Sequence, residues 1–427
     1  MQKYLLIILF VYLSVQGFEY WLKFINLKHM KKHGLKIPPV FESYIDESIL
    51  KKIHAYTIEK AHFSFIKSIF GNAIVLLFFF GAILKVYNSW VSSFSLPFIG
   101  SGIIFFLFLS YGGTFLSIPF SLYDTFKIEN KYGFNTTTAR LWITDAVKSL
   151  FLSSVIIGIV VSVALWLIQS SPNYWWIWVW GFYLIFSLFI MYISPYVLEP
   201  LFNKFTPIEE EGLVQKIREI MQKAGIKISR VFKMDASKRS KHTNAYFTGI
   251  GKVKRIILYD TLLGKMDQNE ILAVLSHEAG HWKKRHVLKL IIISEITSFI
   301  GIYISFRILQ TDLLTSLFQI KPDTFFARVV ILSFIGSIIS FPLIPLSNYV
   351  SRRFERQADR FACELVEEKE SISSALIKLS KDNLSNLYPH PLYAAFYYSH
   401  PPVIQRIESI LKTEMDSERV TCSLLRG

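Results

Sequence analysis

At 427 residues, the chain is long enough for two or more structural units. Its 52% hydrophobic and 19% charged content falls on the apolar side of the roughly 25% charge found in soluble domains. The net charge of +15 flanks long uncharged runs without forming one basic tract, which argues against nucleic acid as a partner and for attraction to anionic lipid. The only cysteines, Cys363 and Cys422, are too few for a disulfide framework, and neither sits in a C-x-x-C pair that would ligate zinc.

Seven runs are apolar enough to cross a bilayer, which takes about 20 residues of helix. They lie near Leu5–Trp21, Phe70–Val86, Pro97–Pro119, Leu150–Ile168, Trp175–Val197, Val287–Leu309 and Phe325–Leu346. The runs are continuous and do not alternate with period two, so helices are expected and a β-barrel is not. Lys3 and the apolar run behind it also fit a signal peptide, but no small-x-small cleavage site follows, and the segment is read as a membrane anchor.

Lysine and arginine crowd alternate loops. Lys28, Lys31, Lys32, Lys36, Lys51 and Lys52 follow the first run, and Lys127, Lys131 and Arg140 follow the third. A long basic stretch separates the fifth from the sixth. The intervening loops near Asn88–Leu96, Gln169–Tyr174 and Gln310–Thr324 hold only Lys321. Seven crossings then put the amino terminus outside and the basic loops in the cytoplasm.

Four regions follow: 1–201, a membrane part with five crossings; 202–286, a soluble insertion; 287–348, crossings six and seven; and 349–427, which completes the soluble part. In the insertion, Glu210–Ala224 has helical periodicity, and Val231–Met234 and Arg255–Tyr259 read as short strands. Asp267 and Glu270 form a capping box that starts the next helix. The stretch Arg353–Leu411 is again helical, with a proline-rich interruption around Tyr388–Pro402.

That capped helix carries His277-Glu278-Ala279-Gly280-His281. Residues i and i+4 share a helix face, so both imidazoles can reach one ion, and Glu278, about 100° round the helix, can take a proton from metal-bound water. Zinc suits this chemistry because it lowers the pKa of bound water to about 7. A catalytic zinc wants a third protein ligand. The longer H-E-x-x-H-x-x-G-x-x-H pattern is absent, with Lys284 in place of its glycine and Val287 in place of its third histidine. His286, one residue out of that register, reads as a surface histidine in a basic turn. Glu355 is the candidate third ligand, and Asp359, one helical turn on, can accept the second N–H of a ligating histidine.

The pairing of HEAGHW with NYVSRRFERQAD resembles the type I CAAX prenyl protease family. The stretches Pro119–Asn135, Pro200–Ile208, Asp235–Gly249 and Asn383–Ile407 carry the resemblance further, whereas the region through Thr57 matches loosely, and Phe354 and Gln357 stand at positions that look variable. The resemblance implies an all-α membrane protein whose seven transmembrane helices enclose a chamber, capped by a mainly α zinc metalloprotease domain with a short β edge. It implies one Zn²⁺ per chain on His277, His281 and Glu355, with Glu278 as general base. It also implies a strand edge at Asn244, Ala245 and Tyr246 for an extended substrate, and His400 and Arg406 near the scissile carbonyl. The substrate would be a peptide or protein cut after a C-terminal prenylated cysteine, or an unprenylated membrane protein in a quality-control role. The active site would face the cytoplasm, in the endoplasmic reticulum membrane of a eukaryote or the inner (cell) membrane of a bacterium. A transporter or channel with a structural zinc is the rival from another class; it would need a fourth protein ligand, and no cysteine lies near the motif.

Overall fold

The computed structural model describes residues 2–248, 253–368 and 370–412. Cys422, Gly249 and the end of the 349–427 region lie outside the described residues.

The membrane part opens with α1 (Gln2–His33), α2 (Glu47–Phe79), α3 (Ile83–Ser93) and α4 (Phe98–Tyr123). Next come α5 (Ala139–Ser170) and α6 (Trp175–Ile193). Local chemistry sets several of these starts. The Asp46 carboxylate accepts from the Ile49 amide at the head of α2, and Thr138 accepts from Leu141 at the head of α5.

The soluble elements are β1 (Phe205–Pro207), α7 (Glu211–Lys223), β2 (Lys227–Met234), β3 (Ala245–Thr248), β4 (Val253–Tyr259), α8 (Asp260–Leu263) and α9 (Gln268–Lys283). The chain returns through α10 (His286–Leu309), α11 (Leu313–Leu317) and α12 (Phe325–Ser340). It ends in α13 (Ile344–Leu365), α14 (Glu370–Asp382), α15 (Pro391–Tyr397) and α16, over 403–412. Asp267 and Glu270 form the expected capping box on α9.

Among the described residues, seven helical segments are long and apolar enough to cross a membrane. Their ends differ from the sequence reading. The second run stops at Phe79, because the chain breaks at Phe80-Gly81, and Ile83–Val86 belong to α3. The third continues past Pro119 and widens into a π-helical turn over Asp124–Glu129. The seventh is α12 joined to α13 through a tight turn at Phe341–Leu343 that contains Pro342. The expected interruption at Tyr388–Pro402 itself holds a helix, α15, started by Pro391 at a position that lacks an amide partner in any helix.

Buried residues of the membrane part collect at two ends. One cluster joins Tyr12, Leu84, Phe105, Leu165, Trp175, Phe306 and Phe334. The other joins Phe41, Ile53, Tyr56, Ile128, Phe134 and Ile407. Between them few side chains are fully buried: Leu165 is the only buried residue of α5, and Trp175 the only one of α6. This is the expected chamber architecture, a hollow set of membrane helices closed by a protease domain.

The four strands run in the order β1-β2-β4-β3, with β2 and β4 parallel and the outer pairs antiparallel. β3 is therefore an edge strand. One side pairs with β4, Ala245 opposite Leu258 and Thr248 opposite Arg255, and the other side has no strand neighbour among the described residues.

Candidate metal centre

The centre is assembled by α9 lying against α13. Gly280 makes the approach possible: a Cβ there would meet the Ala358 Cα at 2.9 Å and its carbonyl oxygen at 3.0 Å. With Ala279 and Ala358 both fully buried beside it, backbone packs on backbone, and Glu355 of α13 is carried to the histidines of α9.

Three donor atoms converge. His277 Nε2 and His281 Nε2 are 3.1 Å apart, and the Glu355 carboxylate oxygens lie 3.3 and 3.2 Å from them. Among the described residues this is the one group of three histidine, cysteine or carboxylate side chains close enough to share an ion. The outward nitrogens explain why the inward ones carry lone pairs. His277 Nδ1 lies 2.9 Å from Asp359 Oδ1 and donates to it. His281 Nδ1 lies 3.1 Å from His286 Nδ1, and His286 Nε2 lies 2.9 Å from Gln357 Oε1. If the amide oxygen accepts from His286, then His286 Nδ1 must accept from His281. Both Nε2 atoms then face each other and a carboxylate. A proton on His277 relieves this arrangement in the metal-free protein, and a divalent cation would relieve it in the proton's place. Glu355 Oε2 is buried with no hydrogen-bond partner, as a ligand atom would be. The donor set fits a divalent metal.

His286 is not on the surface. It is 1% exposed, stacked on Phe354 at 4.2 Å between centroids and 7° between planes. The reason is a break in the helix: α9 stops at Lys283, and Arg285 adopts a left-handed conformation with φ 55°. That turn swings His286 back under His281. Phe354 and Gln357, which looked variable in the sequence, are its contacts on α13.

Burial lowers the affinity of His277 for a proton, but the neighbouring carboxylates of Asp359 and Glu355 outweigh it and bring its pKa up to about 9. Burial raises the pKa of Glu278, opposed by the charge of the two neighbouring histidines. Arg406 grips Asp359 with two hydrogen bonds, Nε to Oδ2 at 2.9 Å and Nη2 to Oδ1 at 2.6 Å. His400 Nε2 comes within 3.3 Å of Glu355 Oε1, while most of its side chain stays exposed.

A cleft of ≈ 180 Å³ brings Asn244, Ala245, His277, Glu278, Asp359, His400 and Arg406 together. It continues into a wider groove of ≈ 670 Å³ that shares Asn244, His400 and Arg406 and runs past Asn386 and Tyr398. Tyr246 takes no side-chain part. Strand alternation turns it away, and its hydroxyl donates to Glu199 Oε2 at 2.6 Å. Asn383 anchors the approach to β3, its side-chain oxygen accepting from the Thr243 amide. The free edge of β3 thus lines the wall beside the donor atoms.

Residues 26–204 match the family described as CAAX prenyl protease N-terminal, five membrane helices, and residues 207–414 match peptidase family M48. A CAAX prenyl protease 1 homolog of Arabidopsis thaliana is 36% identical, the match covering 92% of this chain and 94% of that one. The CAAX prenyl protease 1 of Saccharomyces cerevisiae is 33% identical over 90% of each chain. The crystal structure of S. mikatae Ste24p is similar over 95% of this chain and 98% of that one, with a TM-score of 0.88 and 31% identity.

Proposed function

The chain belongs to the CAAX prenyl protease 1 family of M48 peptidases, and from that premise we propose a mechanism, a metal and a substrate for it. The protein is an integral multi-pass membrane metalloendopeptidase. The metal is one Zn²⁺, held by His277, His281 and Glu355. When bound, it polarises the scissile carbonyl and acidifies the water at the site.

The chain's own residues do the rest. Asp359 and His286 hold the two ligating rings in the tautomer that aims Nε2 at the ion. Glu278, which lines the same cleft as His277, would take the proton from water and pass it to the departing amine. Arg406 keeps Asp359 ionised and in place, and His400 stands where it can steady the developing oxyanion. The substrate lies extended along the edge formed by Asn244, Ala245 and Tyr246. It pairs with the backbone of Ala245, which faces away from β4, whereas the Asn244 carbonyl is already taken by the Tyr259 amide.

The observation that carries this reading is the convergence of two imidazole nitrogens, 3.1 Å apart, on one carboxylate whose two oxygens lie 3.3 and 3.2 Å from them, beside a sheet edge. Free edges are hazards that proteins cover unless they have a use for them. We further infer that the substrate is a protein ending in a prenylated cysteine and three more residues, cut after that cysteine. The positive-inside pattern supports a cytoplasmic active site, in the endoplasmic reticulum membrane of a eukaryote or the inner membrane of a bacterium. The division at 1–201, 202–286, 287–348 and 349–427 accounts for a soluble peptidase interrupted by two crossings.

The test incubates purified protein with matched prenylated and unprenylated peptides, with and without a chelator. Chelator-sensitive cleavage of the prenylated peptide is the expected result. Equal cleavage of both would overturn the prenyl specificity, and no cleavage of either would overturn the mechanism.

A further inference from the structure

Where the fifth span, Trp175–Leu201, runs into the sheet, there is an open depression of ≈ 590 Å³ that lies outside the peptidase cleft. Its two walls differ in chemistry. One is the end of the span itself, with Tyr196 and Leu201 exposed as large apolar side chains beside Pro195 and Pro200. The other presents Lys148, Lys204, Lys238 and Arg255 against one carboxylate, Asp235.

The cations are held in part by the protein and in part left open. The Arg255 guanidinium sits between two rings, 4.4 Å from the centre of Phe232 and 5.0 Å from that of Tyr196, and donates to the Pro195 carbonyl at 3.3 Å. That sandwich fixes its plane and spares most of its donors. Lys148 donates to the Leu201 carbonyl at 2.7 Å, tying α5 to the end of the span. Asp235 spends one oxygen on the Lys204 backbone amide at 2.6 Å. Among the described residues, neither Lys204 nor Lys238 has an ion-pair partner.

Four positive side chains around one negative one favour an anion, and the site sits where a membrane span ends. A soluble anion would use the cations and leave the exposed Tyr196–Leu201 wall in water. A phospholipid uses both, its acyl chains against the apolar wall and its phosphate among the cations. We propose that this depression is a binding site for an anionic phospholipid of the surrounding bilayer, with Lys204, Lys238 and Arg255 on the headgroup phosphate. The site is independent of the peptidase reading, since it shares no residue with the cleft. It is nonetheless linked to it, because Glu199, in the turn that ends the span, accepts the hydrogen bond from Tyr246 of β3.

The experiment reconstitutes the full chain in nanodiscs of equal phosphatidylglycerol and phosphatidylcholine and counts, by native mass spectrometry, the lipid retained on the released protein. Lys204 and Lys238 are exposed, so the double variant Lys204→Gln/Lys238→Gln leaves the core untouched. The control, Lys31→Gln/Lys32→Gln, removes equal charge from another exposed site. Wild type and control should favour phosphatidylglycerol by about tenfold, and the site variant should lose most of that preference. Equal retention by site variant and wild type would overturn the proposal. So would displacement of the lipid by excess inorganic phosphate, which would identify a soluble anion as the occupant. Because the readout is bound lipid, an inactive peptidase leaves the result intact.

Discussion

The Nδ1 atoms of His281 and His286 lie 3.1 Å apart, five residues along the chain yet ring to ring in space. Asp359 does the same for His277 at 2.9 Å. Each proposed imidazole ligand therefore has its own outer partner, one a carboxylate and one a neutral ring backed by an amide.

That pairing makes His286 a positioning residue. His286→Ala should weaken zinc binding about 10–100-fold, the usual effect of losing an outer hydrogen bond to a ligand. Chelator competition measures it directly. Gln357→Leu should move affinity in the same direction by less, since His286 keeps its stack on Phe354. Unchanged affinity in both variants would leave His286 a packing residue.

Glu278→Gln keeps the size of the side chain and removes its ability to accept a proton. Peptide hydrolysis should fall by at least about 10²–10⁴-fold, with metal content by elemental analysis unchanged. Loss of the metal along with activity would place Glu278 among the ligands.

A methyl on Gly280 has no room beside Ala358. Gly280→Ala should force α9 from α13 and cost about 1–3 kcal/mol, despite the better helix propensity of alanine. Thermal unfolding of the metal-free protein would register the loss, and zinc affinity should drop as Glu355 draws away from the histidines.

With its pKa brought up to about 9, His277 is protonated at neutral pH when no metal is bound. Zinc must displace that proton, so apparent affinity should rise with pH up to about 9 and level off above it. Calorimetric titration near neutrality, in buffers of different ionisation enthalpy, should report close to one proton released. Zero release would mean that His277 is already neutral.

The parts of this molecule that the sequence discloses are those written in local periodicity. The seven apolar runs, the Asp267–Glu270 capping box and the i, i+4 histidines all follow from residues a turn or two apart. Glu355, 74 residues beyond His281, was reachable because its helix repeats the pattern of a ligand with a partner one turn on. His286 was not. In an unbroken helix, position i+5 points away from His281, and only the left-handed Arg285 reverses that, a conformation that nothing in the arginine side chain announces. β1 was equally hidden, since a three-residue strand has no period to detect.

The gathering of buried side chains at the two rims of the membrane part has an evolutionary consequence. Side chains that are seldom fully enclosed impose few jigsaw constraints, so one apolar residue can replace another along the middle of α5 or α6 at little penalty. Drift among related chains should concentrate in that waist, while Phe105, Phe134 and the rest of each rim stay fixed. A mutational scan would trace two conserved hoops around a permissive wall.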